Sequence, residues 1–324
     1  MSISPHVRFA LIVVCFLSFA ATVSGQVAVP SLAPASPRVG NPTLRVGVNG
    51  LSIPDAGFVT EIPAAMQWGE PSRFGKGQFN AESEHNAFGA PVKNDYDGFY
   101  AGLRWVTDVL SFGAEIVNME ESENIYKGDI TNAALAFPMN EFVALGAALN
   151  NADEEYFDDT DFTARPEVGL AVNLDDRFFI GLVIARDVLI HEDGTNPNND
   201  FNSDRGVQKL GLGFRSGRRG GKIWHLEYYT ITREPHENAA GIEFAQTDSQ
   251  TVVIELIWQD LLIGVTSTDY DVDNTDGTVQ TLDLGWVPKK GISLLGHIEQ
   301  NTIEADFGVK YESSAAALSL AFQF

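Results

Sequence analysis

Five histidines lie beyond residue 25: His85, His191, His225, His236 and His297. A hydrolase would need one of them beside a nucleophile and an orienting carboxylate. His191 and His236 sit in acidic stretches, and no serine has the glycine-flanked setting of a nucleophile elbow. The chain therefore reads as a protein without enzymatic activity. Asp271, Asp273, Asn274 and Asp276, before Gly277, crowd oxygen ligands into a short span, as calcium requires. The closing glutamate of a calcium loop is missing, since Gln280 and Thr281 follow. This run and the one from Asp193 to Asp200 read as solvated loops, so neither a metal nor a cofactor is expected. A third set is single charges within alternating stretches: Arg104, Glu115, Glu167, Arg215, Glu227, Glu255, Asp283, Glu304, Asp306 and Lys310. Their mixed signs suit a polar interior, either cross-linked by ion pairs or lining water.

Such residues need elements that hold them on one face. The start, MSISPHVRFALIVVCFLSFAATVSGQ, has Arg8 before an apolar run and small residues after it. That is the layout of a signal peptide, here residues 1–25. The run is short for a membrane helix. The only cysteine, Cys15, lies inside it, so the exported chain must be held by packing and backbone hydrogen bonds. With 44 Asp plus Glu against 21 Lys plus Arg, the chain is a poor partner for a phosphate backbone. The densest positive run, RRGGK at 218–222, is isolated, and no nucleic-acid partner is expected.

Residues 26–98 are punctuated by Gly and Pro, yet carry Phe58, Met66, Trp68, Phe74, Phe79 and Phe88. A disordered linker would be poorer in aromatics. From residue 99 to 324, stretches of alternating polarity are separated by turn residues. The spacing predicts strands at 99–107, 110–119, 130–137, 141–149, 163–172, 178–189, 205–215, 221–232, 251–258, 261–270, 278–286, 290–299, 302–311 and 314–324, with 241–248 as a further candidate. Serial hairpins imply antiparallel neighbours. In IEADFGVKY, Ile303, Ala305, Phe307, Val309 and Tyr311 share one face. A sandwich would bury that face, whereas a membrane barrel would turn it to lipid. Several strands repeat the pattern, with aromatics such as Trp105, Trp224, Trp258 and Trp286 near strand ends, where a barrel meets the headgroups. A closed barrel also satisfies every backbone group in hydrocarbon and leaves no edge.

The chain stops on ALSLAFQF, with Leu318, Leu320, Phe322 and Phe324 alternating with small or polar residues. This ending resembles the last strand of bacterial outer-membrane β-barrel proteins of Gram-negative cells. The resemblance implies location in the outer membrane among lipid and lipopolysaccharide. It also implies that the barrel-assembly machinery reads those four residues. The expected fold is all-β, an antiparallel transmembrane barrel of about 14 strands (12 to 16), with an irregular N-terminal plug. Residues 99–324 would be the barrel and 26–98 a leader and hatch-like segment.

The connections leave a conflict. Counting back from Phe324 puts VPKKG and WQD on the outer side, away from the other short turns; a strand at 241–248 repairs the alternation near the middle and then requires another before residue 99, with 43–49 the candidate. NGLSIPDAGFVTEIPAAMQWG resembles the early segment of long-chain fatty acid transporters, whose barrel holds an N-terminal hatch. Here Ile62-Pro63-Ala64-Ala65 stands where that family has an asparagine–proline–alanine motif. The resemblance implies passive transport of a small hydrophobic substrate. Phe58, Met66, Trp68, Phe74 and Phe79 are then the candidates to line or plug an apolar pocket. The alternative is a general porin or a structural surface barrel without transport specificity.

Overall fold

The computed structural model describes residues 62–68, 73–87, 90–121, 126–156, 159–174, 177–195, 201–216, 222–237, 243–244, 247–272, 275–286, 288, 291–305 and 309–323. The signal sequence, the 43–49 segment, Phe58, Asp306 and Phe324 fall outside them.

Fourteen strands form one closed antiparallel barrel. In chain order they begin with β1 (Arg73–Ala87), β2 (Ala90–Trp105), β3 (Ser111–Glu121), β4 (Tyr126–Pro138) and β5 (Val143–Tyr156). Next come β6 (Asp159–Leu174), β7 (Phe178–Asp193), β8 (Phe201–Ser216) and β9 (Lys222–Arg233). The two-residue strands β10 (His236–Glu237) and β11 (Glu243–Phe244) pair only with each other. The wall resumes with β12 (Thr247–Trp258), β13 (Leu261–Val272), β14 (Thr275–Trp286), β15 (Gly291–Ala305) and β16 (Val309–Gln323). Barrel strands follow one another in sequence order around the wall, and β16 pairs with β1 to close it.

Alternation fixes which face is which. On β7, Phe178, Ile180, Leu182 and Ile184 are exposed outside, while Phe179, Val183, Ala185 and Asp187 are buried inside. On β12, Val252, Ile254 and Trp258 point out, and Val253, Glu255 and Ile257 point in. Trp105, Phe178, Trp224, Trp258, Trp286 and Phe322 ring one end of the outer surface. An apolar exterior with an aromatic rim, around a lumen lined in part by charge, is the arrangement of a membrane-spanning barrel. The strands, 11 to 16 residues long, exceed the roughly 9–11 residues a tilted span needs. Their far ends carry the acidic residues. NNADEEYFDDTD is mostly the paired ends of β5 and β6, and Asp271 and Asp276 are cross-strand partners at the tip of β13 and β14.

Several sequence boundaries are corrected. The barrel starts at Arg73, not residue 99: β1 lies within the segment assigned to the hatch. Its alternation is hidden because its outer face carries Lys76, Gln78 and Asn80, opposite glycines at 75 and 77. The stretches 290–299 and 302–311 are not two strands. Gln300 and Asn301 lie inside β15, and Glu312 to Ser314 lie inside β16. These polar residues resemble a turn but occupy strand ends past the apolar belt. Among the described residues of 241–248, Glu243–Phe244 forms a separate short strand, and Thr247 already belongs to β12. One strand gained and one lost leave the total at fourteen. They also resolve the turn conflict. WQD and VPKKG join β12 to β13 and β14 to β15, so they lie at the end where β1 begins and β16 finishes, beside FPMNE and NLDDR.

Candidate functional site in the barrel lumen

The interior is assembled around a short 3-10 turn, η1 (Pro63–Trp68). Proline fixes its own φ and needs no N–H donor at the first position, so it starts such a turn readily. The Ala65 N–H donates to the Ile62 carbonyl (3.0 Å). Ile62, Ala64, Ala65 and Met66 are all completely buried. Ile62 and the two alanines pack with Ala171, Phe179, Val183, Ala185, Val207, Tyr229 and Val253. Met66 packs with Ala134, Ala136 and Ala148. Glycine permits the close approach. A Cβ at Gly146 would lie 2.2 Å from the Ala64 backbone nitrogen, and one at Gly211 would lie 2.7 Å from Ile62 Cδ1. The inner wall from β4 to β9 thus presents small and apolar side chains to a backbone segment that fills the space before them.

Charges lie next to this collar. Lys209 Nζ donates to Glu167 Oε1 (2.7 Å), and each residue is 2% exposed. The pair crosses over β7, where Lys209 is opposite Val183 and Glu167 opposite Ala185. Farther along the same strands, Asp187 bonds Arg165, with Arg205 Nε at 3.6 Å and Arg233 Nε at 3.8 Å. Pro166 has no N–H to offer, and the β6–β7 ladder skips Arg165 and Pro166. On β9, the Tyr229 hydroxyl donates to Glu227. The Arg215 guanidinium sits 5.4 Å from the Phe179 ring centre, within cation–π range. On the opposite wall His297 Nδ1 donates to Asp283 Oδ1 (2.7 Å), both groups being buried.

Of the residues singled out from sequence, Arg104, Glu167, Glu227, Glu255 and Asp283 are buried on the inner face. Arg215 is partly buried there. Glu115 lies opposite Gly102 and Asn132, and Glu304 opposite Lys310, in positions whose side chains are outside the description. Met66 is in the collar. Phe74 is not a lumen residue: it is 46% exposed on the outer face, in register with Phe322 and Leu103. It belongs to the aromatic rim, because β1 is wall rather than hatch. Trp68 ends η1 and Phe79 lies in β1, again without side-chain description. Leu318, Leu320 and Phe322 are exposed on the outer face of the closing strand.

Sequence reasoning missed Arg165, Asp187, Arg205, Lys209 and Arg233 as interior charges. A signal was present: stepping back by twos from Arg215 along β8 reaches Lys209 and Arg205. Pro166 obscured the same step on β6.

No family model matches the chain, and no curated protein sequence matches it. Solved structures do. The Pseudomonas putida toluene transporter TodX aligns with a TM-score of 0.56 at 10% identity, covering 88% of this chain and 98% of its own. A Pseudomonas aeruginosa FadL homologue gives 0.55 at 10% identity, covering 88% and 98%. The CymD monoaromatic hydrocarbon channel gives 0.52 at 10% identity, covering 86% and 93%. Likeness at that identity is a likeness of fold, and the chain has the barrel fold of these FadL-type channels.

Proposed function

We propose that this protein is a passive transport barrel of the bacterial outer membrane for small hydrophobic molecules, with the segment before β1 acting as a plug. One observation carries the reading: Ile62 to Met66 are buried against a lumen wall made of Ala, Val and Phe side chains. A general porin has a water-filled, polar interior. An apolar inner surface has use only if something apolar covers it or passes along it. The structural neighbours, a toluene transporter and a monoaromatic hydrocarbon channel, support the same class of solute. In this reading the outer belt meets membrane lipid, the acidic strand ends meet lipopolysaccharide, and β16 is read by the barrel-assembly machinery.

The test is conductance of the refolded protein in a planar bilayer, beside a variant lacking residues 27–70, which keeps β1 whole. The full chain should be nearly silent and the deletion should conduct steadily. Equal conductance would remove the plug. If both proteins stayed soluble without detergent, the membrane barrel itself would fall.

A further inference from the structure

The wall facing the apolar collar has a different chemistry. Across β12 to β15, Glu255, Gly264, Asp283 and His297 form one cross-strand row on the inner face. The adjoining row is Val253, Thr266 and Thr281. Asp283 is 1% exposed, Ser293 2% and Thr266 7%. Among the described residues, no hydrogen-bond partner meets Asp283 Oδ2, Thr266 Oγ1, Thr281 Oγ1 or Ser293 Oγ. Buried polar atoms are costly when unsatisfied, and native proteins satisfy most of them. His297 holds Asp283 Oδ1, which fixes the carboxylate, and Oδ2 is left buried with its hydrogen-bonding capacity unused among the described residues. Gly264 puts no side chain between Glu255 and Asp283.

We infer that the Asp283–Thr281–Thr266 cluster is a binding site for the polar head of an amphipathic solute, an aromatic or similar-sized apolar body carrying a hydroxyl or amino donor. The inference rests on the proposed transport of hydrophobic molecules and narrows their class. Val253 closes the apolar collar and is the direct cross-strand neighbour of Thr266. Asp283 lies two strands from Val253 and two residues farther along, about 12 Å between Cα positions at ordinary strand spacing and rise. A single ring with its donor spans that gap, with its body on the collar and its head on Asp283 Oδ2. A bare hydrocarbon would leave the acceptors unmatched. A carboxylate head would meet Asp283 and Glu255, two groups of its own sign.

The experiment uses the full refolded chain in detergent, with detergent-only blanks, and calorimetry of 4-bromophenol, 4-bromotoluene and 4-bromobenzoate. Bromine anomalous scattering from soaked crystals gives the position. 4-Bromophenol should bind about tenfold tighter than 4-bromotoluene, as expected for a hydrogen bond to a charged acceptor. Its oxygen should lie against Asp283, and 4-bromobenzoate should bind no better than 4-bromotoluene. In Asp283→Leu the phenol-to-toluene ratio should fall to near one. Thr281→Val should lower it severalfold, which keeps the test available if the first variant does not fold. A ratio near one in the unmodified protein, a ratio unmoved in the variants, or tight 4-bromobenzoate binding overturns the inference and leaves hydrophobic transport standing. If no ligand binds in the lumen, the transport reading falls with it.

Discussion

The two sides of the lumen obey the same alternation but do different work. Level with η1, the inner face from β4 to β9 is mainly Ala, Val and Phe, and the charges beside it are matched, Glu167 to Lys209 and Asp187 to Arg165, Arg205 and Arg233. From β12 to β15 it carries Glu255, Thr266, Thr281, Asp283 and His297 beside the apolar Val253, Ile257 and Leu262. The difference shows in the sequence of single strands. FFIGLVIA in β7 is apolar on both faces, because lipid lies outside and the collar inside. Such a near-continuous run marks a strand buried on both sides. TLDLGW in β14 alternates, because its inner face keeps Thr281 and Asp283. One wall suits an apolar body and the other suits hydrogen-bond donors.

The largest effect expected from breaking this contrast is at the buried ion pair. Lys209→Met removes the cation paired with the buried Glu167 carboxylate and should cost about 3–5 kcal/mol. Equilibrium urea unfolding in lipid micelles measures it. On the other wall, Asp283→Leu removes the bond to His297 and should cost less, about 1–3 kcal/mol by the same measurement. Equal losses would mean that the two walls are not held differently. The glycines sharpen the contrast further. Gly146→Val drives a side chain into the Ala64 backbone and should displace η1, at a cost of about 1–3 kcal/mol, with steady bilayer conductance appearing. Gly264→Val, on the polar wall, should leave the channel silent. The smallest effect is Thr281→Val. Exchanging a buried hydroxyl without a described partner for a methyl should change stability by less than about 1 kcal/mol.

Strands β6 to β9 and β12 to β14 were legible because their outer faces are strongly apolar and short turns join β6 to β7, β8 to β9 and β12 to β13. β1 was not, since Lys76, Gln78 and Asn80 occupy the outer positions that apolar residues fill elsewhere. The interior acids Glu167, Glu227, Glu255 and Asp283 were legible because a lone charge in an alternating strand must avoid lipid. Their partners were not. Glu167 and Lys209 are 42 residues apart and meet across an intervening strand. Arg165, Arg205 and Arg233 come from three strands to one carboxylate on a fourth.

The sequence by itself determined an antiparallel barrel with an apolar outside and a charged inside, because side-chain direction alternates along every strand and lipid excludes charge from one face. Tertiary structure alone decided which inner residues share a level, and that Ile62 to Met66 lie against the β4–β9 wall. Those depend on cross-strand register and closure, which couple residues far apart in the chain and leave no periodic trace within any one strand.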